Sequence, residues 1–310
     1  MERLLMIAFG KLRTPLLFAG LLACVSLAAR AADLTPLQVA EKYQEVLIKS
    51  HTTLSTKIKL STCKYRIDAT SMQCVEKPRV RVVENVAKYF GRDIRSLGII
   101  SEPVSDKGIG MLSWEYFDRD KVNDTWLYLP ALDKVKRVVA VKDSRDSGSY
   151  FGSEFYVEDL EEPKLPEYTY RLLGEETLRV LETGKGYVED PAYVLEWTPV
   201  ASRQEITNYG KTVIWIDKER FILLKEELYD NDQVLFKRRT VKDVELIEGV
   251  WMPRQILMDN LATHRISVMD RQATALNITV QDDYLTQRSL TDAAYRERYL
   301  SLYRTAWKYY

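Results

Sequence analysis

The residues of this sequence that could act as nucleophiles, acids or bases do not stand in the spacings typical of an enzyme. A hydrolase nucleophile elbow needs serine at the centre of Gly-x-Ser-x-Gly, and between Gly148 and Gly152 the serine, Ser149, stands one position too early. Gly108 and Gly110 lack the third glycine of a dinucleotide-binding loop. Only two histidines are available for acid–base or metal chemistry. We therefore expect a protein that is not an enzyme and uses neither a metal nor a cofactor.

Two acidic pairs remain as candidates for general acid–base catalysis. Glu158-Asp159 and Glu161-Glu162 each place two carboxylates side by side. Such pairs can act as acid and base where burial separates their pKa values, but runs of charged residues are usually solvated. We therefore interpret both pairs as a solvated surface.

Aromatic side chains are the remaining candidates for a functional role, through non-covalent binding. The chain has six Trp and nineteen Tyr, and several lie two apart on strand-like segments, where they face the same side of a sheet. Such rings either pack in a core or line a cavity for an apolar ligand. We place the following residues near such a cavity: Leu112, Trp114, Trp126, Tyr128, Phe151, Phe155 and Trp215. The sequence does not decide which face of the sheet they occupy.

The elements that would position these residues are mostly strands. Thr35, Pro36 and Gln38 form a helix start, and the apolar spacing that follows predicts a helix over 36–49. From Gly110 onward, short strand-like runs alternate with turns, including one run over 154–158. Without long helical inserts, these runs predict an antiparallel, strongly curved sheet or barrel. The segment 84–96 could be strand or helix.

The two ends of the chain differ from this pattern. A basic start, an uncharged run over 16–29 and small residues at 29 and 31 predict a signal peptide over residues 1–31. An uncleaved anchor, or lipidation at Cys24, are the alternatives. At the other end, aromatic residues at helical spacing predict an amphipathic helix over 291–310. We favour docking of this helix onto the parent domain over a lid or a contact with a membrane partner.

Cleavage of the leader would leave two cysteines, Cys63 and Cys74. An even pair in an exported chain predicts a disulfide, and the strand-like sequence around both residues places it in a hairpin or its loop. Two reduced, buried thiols are the alternative.

The composition limits the class of partner. The 310 residues include 45 Lys and Arg and 45 Asp and Glu, so the formal net charge is zero. Nucleic-acid binding needs a basic surface, so we expect no nucleic-acid partner. Hydrophobic residues make up 46%, which is typical of a folded chain with a core.

The order of several motifs resembles a known family. The stretches that carry the resemblance are Asp-Thr-Trp-Leu-Tyr-Leu-Pro-Ala-Leu at 124–132, Ser-Tyr-Phe-Gly-Ser-Glu-Phe-Tyr-Val-Glu-Asp-Leu at 149–160, Trp-Ile-Asp at 215–217, Tyr229-Asp230 followed by Lys237, Pro253, and residues 283–290. Over residues 34–290 the chain is similar to the periplasmic outer membrane lipoprotein-sorting family, the LolA and LolB carriers. It departs from that pattern at Glu154, where Asp is usual, at Val157, where Tyr is common, in the segment with Cys63 and Cys74, and in the helix after Leu290.

This resemblance implies a mainly β fold, an α+β protein with an unclosed antiparallel barrel of about eleven strands and helices as a lid over an apolar cavity. It implies a carrier domain over 32–290 that binds a lipid or lipoprotein acyl chain in the periplasm and moves it towards the outer membrane. It also implies a partner, an inner-membrane lipid exporter of the resistance-nodulation-division type. The alternative is an adaptor that carries nothing and docks on such an exporter through the 291–310 helix.

Overall fold

The computed structural model describes residues 34–68, 71–138 and 148–310, so the leader predicted over 1–31 and Cys24 lie outside the described residues. The helices are α1 (Pro36–Lys49), α2 (Ala201–Gln204), α3 (Gln287–Thr291) and α4 (Ala293–Arg304). The strands are β1 (Thr53–Asp68), β2 (Ser71–Cys74), β3 (Arg79–Phe90), β4 (Asp93–Glu102), β5 (Gly110–Glu115), β6 (Asp124–Leu129), β7 (Lys134–Val138), β8 (Tyr168–Glu182), β9 (Gly186–Pro199), β10 (Lys211–Asp217), β11 (Leu223–Tyr229), β12 (Leu235–Ile247), β13 (Val250–Asn260), β14 (Arg265–Leu276) and β15 (Lys308–Tyr309).

One antiparallel sheet contains all these strands. Its order is β7-β6-β5-β4-β3-β1-β14-β13-β12-β11-β10-β9-β8, with β2 paired to β1 and β15 paired to β14. The outer strands β7 and β8 do not pair with each other, so the sheet is not closed into a barrel. The predicted mainly β fold with an unclosed antiparallel sheet is confirmed, with fifteen strands instead of about eleven.

Helix α1 has the predicted boundaries, and its first turn shows why. The Thr35 hydroxyl accepts a hydrogen bond from the backbone N–H of Gln38 at 3.2 Å, and the Gln38 side chain accepts one from the Thr35 N–H at 2.8 Å. This capping box satisfies two amides that the first turn would otherwise leave unpaired. Pro36 stands at the first helical position, where no donor is needed.

Two predicted elements differ from the structure. The predicted strand over 154–158 is wrong, because Tyr156 makes only an isolated bridge with Ser149 and a 3-10 turn follows at Val157–Asp159. The C-terminal helix ends at Arg304, short of residue 310, because Lys308 and Tyr309 pair with β14. The ambiguous segment 84–96 belongs to β3 and β4.

The two sides of the sheet are covered differently. The helix face is the side that carries Leu97 and its register partner Leu112, and the helices α3 and α4 cover it with Leu290 and Leu300. The loop face is the other side. There, Met111 packs beneath the loop that runs from residue 148 to residue 160.

The predicted disulfide is confirmed. Cys63 on β1 and Cys74 on β2 are bonded, with their Cα atoms 5.8 Å apart. The bond ties a hairpin, as the sequence indicates, because β2 pairs with the end of β1.

None of the helices in the described ranges has the length and apolar character needed to cross a membrane.

Candidate functional site

A cavity of about 500 Å³ lies where the two open edges of the sheet approach each other. One edge contributes Thr125 and Val138, from β6 and β7, and the other contributes Tyr168, Trp197 and Ile214, from β8, β9 and β10. The chain between β7 and β8 supplies a further wall, over residues 156–167. The volume is in the range of roughly 300–1,000 Å³ that small-molecule sites occupy.

Two phenylalanines of the loop fix this wall on the loop face. Phe151 and Phe155 are 6% and 0% exposed and pack in one apolar cluster with Met111 and Val83. The loop closes on itself through a 2.8 Å hydrogen bond from the Tyr150 N–H to the Phe155 carbonyl oxygen. These two anchors direct the following residues into the cavity wall.

Asp159 is the most enclosed charge in this wall. Its carboxylate accepts hydrogen bonds from the Tyr156 N–H at 2.7 Å and from the Tyr209 hydroxyl, and it lies 3.4 Å from the Lys237 ammonium. Lys237 is fully buried, and its Nζ lies 3.0 Å from the Tyr156 ring centroid. Burial lowers the pKa of Lys237, whereas the neighbouring Asp159 charge favours the ammonium. The pair therefore joins the loop to β12.

Glu158, the neighbour of Asp159, is bound by residues in the connection between β9 and β10. Its carboxylate accepts a hydrogen bond from the Thr207 hydroxyl at 2.8 Å and one from the Asn208 N–H at 3.1 Å, and the Arg203 guanidinium lies at 3.3 Å. Burial, and then the charge of Asp159, raise the pKa of Glu158. The predicted solvated surface is wrong for Glu158-Asp159, because partners distant in sequence enclose both carboxylates.

Glu161 and Glu162 also line the cavity, next to a third carboxylate. The Glu162 N–H donates a 3.1 Å hydrogen bond to Glu115, and the Tyr89 hydroxyl donates one to Glu162. Burial, and then the charge of Glu161, raise the pKa of Glu115 to about 8. Burial likewise raises the pKa of Glu162. Both carboxyl groups therefore hold their protons to a higher pH than exposed glutamates do.

The opposite wall of the cavity is aromatic and aliphatic. The Trp197 ring is 5% exposed and lies 6.3 Å from the ring of Tyr43 on α1 and 5.6 Å from that of Tyr168. Burial raises the pKa of Tyr168 to about 12, so this residue stays a neutral phenol. The aliphatic residues of this wall are Ile206, Ile214, Leu223 and Leu228.

Basic side chains stand where the cavity meets solvent. Arg119 and Lys121 are exposed, as is Arg137, which pairs with Asp124. Lys164 donates hydrogen bonds to two backbone carbonyl oxygens. The site therefore combines an apolar wall, a wall of enclosed carboxylates and a basic rim, which suits a ligand with one apolar and one polar end. The resemblance implies an apolar cavity, whereas this lining also contains carboxylates and basic side chains.

None of the seven sequence-predicted residues is among those that line this cavity. Four of them belong to the apolar core of the helix face: Leu112, Trp114, Trp126 and Tyr128. Trp215 is buried in a separate cluster with Val194 and Val213. Phe151 and Phe155 anchor the loop that forms one wall. Contact of any of the seven with a ligand stays a prediction.

The residues that do line the cavity gave weaker signals in the sequence. Tyr168 forms one of the aromatic pairs two apart, and Trp197 lies in a predicted strand, so their types and periodicity could have suggested them. Lys237, which holds the wall, is one of the motif landmarks. Arg203 and Asn208 lie in a short helix and turn without any pattern. In the described part of the chain, no group of three His, Cys, Asp or Glu side chains could hold a metal ion.

A protein family model with the description "-like: Uncharacterized protein" matches residues 92–292. Among proteins with curated descriptions, none matches this sequence.

Several solved structures share the fold over most of its length. A domain described as an outer membrane lipoprotein-sorting protein from Vibrio parahaemolyticus is 21% identical, with a TM-score of 0.68 over 83% of this chain and 98% of that one. A DUF1329 family protein from Desulfovibrio piger is 24% identical, with a TM-score of 0.68 over 83% and 100%. A LolA superfamily protein from Nitrosomonas europaea is 18% identical, with a TM-score of 0.58 over 82% and 98%. At these identities the likeness shows a LolA-like fold.

Proposed function

Because this chain belongs to the family whose model matches residues 92–292 and has a LolA-like fold, we propose that it is a periplasmic carrier. It binds a lipid, or the acyl chains of a lipoprotein, and moves its cargo towards the outer membrane. The observation that supports this most is the cavity of about 500 Å³ between the open edges of the sheet, with its aromatic wall and basic rim.

The aromatic wall supplies the affinity that a carrier needs. Moving an acyl chain out of water gains about 0.8 kcal/mol per buried CH₂, so about ten methylenes would contribute about 8 kcal/mol. The rings of Trp197, Tyr43 and Tyr168, with the aliphatic side chains beside them, offer the surface for such a chain. No covalent step is required. Glu158 and Asp159 are each occupied by several donors, as expected of structural rather than reacting carboxylates.

The periplasmic location is part of this proposal. The Cys63–Cys74 disulfide is typical of an oxidising compartment, and the basic and apolar pattern of residues 1–31 is typical of a signal peptide. Mass spectrometry of the native protein would test the leader. Cleavage before Ala32 yields a soluble chain, whereas retention of the segment or a lipid on Cys24 would give a membrane-attached carrier.

We also propose roles for the seven sequence-predicted residues. Phe151 and Phe155 position the cavity wall, because their packing holds the loop from which Glu158 and Asp159 project. Leu112, Trp114, Trp126 and Tyr128 stiffen the sheet from the helix face, and Trp215 does so from its own cluster.

The donor of the cargo, we propose, is an inner-membrane lipid exporter of the resistance-nodulation-division type. The resemblance of the sequence motifs supports this partner. The alternative adaptor role requires α4 to be free for docking, but α4 buries Leu300 and Tyr303 in the core of the helix face. Deletion of 291–310 would therefore disturb folding as well as docking. The exposed Leu302 offers a cleaner test, because Leu302→Asp would abolish exporter co-purification only if α4 docks there.

Native mass spectrometry of protein purified from its own host tests the carrier role. We expect a bound lipid or lipoprotein acyl chain on the wild-type protein. Leu223→Trp, which fills part of the cavity, should reduce the bound fraction several-fold.

Leu178→Trp is the matched control, since Leu178 is also a half-buried strand leucine but packs in the separate Trp215 cluster. Protein that is consistently empty, or equal loss of lipid in both variants, would contradict the proposal.

A further inference from the structure

A two-stranded ribbon extends beyond the sheet at the disulfide. Strand β1 pairs with β14 and β3 only as far as Lys64 and Thr62, and residues 65–68 have their register partners on β2. One further hydrogen bond, from the Tyr65 N–H to the His264 carbonyl oxygen at 2.8 Å, joins the start of this segment to the body. An isolated pair of strands is marginally stable in water. The Cys63–Cys74 bond at its base, and Tyr65, whose ring lies 5.7 Å from that of His264, hold the ribbon to the body.

The ribbon has one apolar and one polar face. Ile67 and its register partner Met72 lie on the same side as the Tyr65–Cys74 pair, since side chains two apart along a strand share a face. Arg66 and Gln73 lie on the other side. At the base of the apolar face Tyr65 is buried, but farther out Ile67 is 73% exposed and Met72 is 43% exposed. Packing in the core therefore does not explain why two large apolar side chains, Ile67 and Met72, stand at these positions.

Charge around the ribbon is mostly positive. Four exposed bases lie on it or on the chain that leaves it: Lys64, Arg66, Lys77 and Arg79. The acids in the same stretch are Asp68, which lies 4.0 Å from Arg66, and Glu76, which pairs with Arg265 at 3.4 Å. A segment with an apolar face and a basic face opposite to it is typical of segments that lie in the interface of a bilayer with anionic lipids, where the long basic side chains reach the headgroups.

We propose that this ribbon docks the protein on an anionic lipid surface. Ile67 and Met72 enter the boundary between headgroups and acyl chains, and Lys64, Arg66, Lys77 and Arg79 contact the anionic headgroups. The disulfide keeps the two strands in register. Because the apolar pair is already ordered before it meets the membrane, binding loses little chain entropy. This surface is separate from the cavity and goes beyond the carrier role.

Flotation with lipid vesicles tests the proposal. Wild-type protein with its disulfide intact should float with vesicles of phosphatidylcholine and phosphatidylglycerol, and less with phosphatidylcholine alone. The double variant Ile67→Asp/Met72→Asp should lose binding by about tenfold or more, because it removes two apolar contacts and adds two charges that the anionic surface repels. The charge variant Arg66→Glu/Lys77→Glu should weaken binding to the anionic vesicles and have little effect on phosphatidylcholine.

Leu246→Asp is the matched control. Leu246 is 56% exposed and pairs with Trp251 near the β12–β13 turn. The ribbon lies towards the other end of these strands, near Lys237 and Asn260, so Leu246 is an exposed leucine distant from it. Because Ile67 and Met72 are exposed, their replacement should leave the thermal unfolding midpoint unchanged. Wild-type protein that stays in the aqueous phase, equal flotation of the double variant, or retention only by membranes that contain a partner protein would overturn the proposal. Lipid loading of the cavity, measured separately, is unaffected by either result.

Discussion

The helix face and the loop face of this sheet are built in opposite ways. On the helix face, Leu112, Leu285, Leu290 and Leu300 are at most 1% exposed and pack in one apolar cluster, and a smaller cavity of about 150 Å³ is lined in part by Leu300. On the loop face, a loop covers the sheet, and its carboxylates Glu158 and Asp159 are enclosed by Lys237 and by residues between β9 and β10. A cavity of about 500 Å³ lies beside these carboxylates. In the carrier role proposed above, the helix face contributes stability and the loop face offers room for a ligand.

The largest effect should come from breaking the buried charge pair of the loop face. Asp159→Ala leaves the Lys237 ammonium buried without its carboxylate, which should cost about 3–5 kcal/mol of unfolding free energy in urea denaturation. Replacing both partners by apolar residues, as in Asp159→Leu/Lys237→Met, should restore part of this loss. A single variant within about 1 kcal/mol of wild type would show that the pair does not hold the loop.

On the helix face, a cavity-forming substitution should affect stability alone. Leu300→Ala removes a side chain that is 1% exposed and should cost about 2–4 kcal/mol of unfolding free energy, since the core around it cannot fully collapse. The purified variant should still carry its lipid in native mass spectrometry. Loss of lipid from folded Leu300→Ala protein would mean that the helix face takes part in binding and that the two faces are not separate.

The carboxylate wall should make stability depend on pH near neutrality. Glu115 has a pKa of about 8 in the folded protein, against an ordinary value of 4.5, so the folded state holds a proton that the unfolded chain has lost. The stabilisation is complete below about pH 4.5 and disappears as the pH rises through about 8. We expect a loss on the order of 2 kcal/mol for this half-buried group.

Chemical denaturation at several pH values, compared with Glu115→Gln, would measure this effect. The variant, which cannot lose the proton, should show a flatter profile over the same range. Parallel profiles for the two proteins would contradict a role for Glu115.

The smallest effect concerns α1, which brings Tyr43 to the cavity. Thr35→Ala removes the hydroxyl that accepts from the Gln38 N–H and should cost about 1 kcal/mol of unfolding free energy. Thr35→Ser keeps the hydroxyl and should remain close to wild type. Equal destabilisation by both substitutions would show that the methyl group, rather than the cap, matters.

Local sequence patterns predicted the elements well and the site poorly. The capping box predicts α1, the alternating residues and turns predict an antiparallel sheet, and the cysteine pair predicts the disulfide. These predictions succeed because each pattern involves residues that are close in sequence. The aromatic residues two apart on strands were correctly expected to share a face. Which face is covered, however, depends on where the last thirty residues pack, and these cover the side that carries Leu112 and Trp126.

The acidic pair Glu158-Asp159 shows the same limit. As a stretch of sequence it is typical of solvent exposure, but Arg203, Asn208 and Lys237, which enclose it, lie 45 or more positions away. The predicted strand over 154–158 fails for a related reason, since Phe155 is held by the sheet beneath it and not by a neighbouring strand. A residue that is buried by partners distant in sequence shows no periodic pattern in the sequence around it.

A crystal structure of the protein with the ligand that it retains from its host would show directly whether this cavity holds a lipid. We expect electron density for an apolar chain beside Trp197 and Tyr168, with the polar end towards Arg119 and Lys121. Density on the helix face beside Leu112 and Trp114, or a cavity that contains only ordered water in ligand-saturated protein, would contradict it.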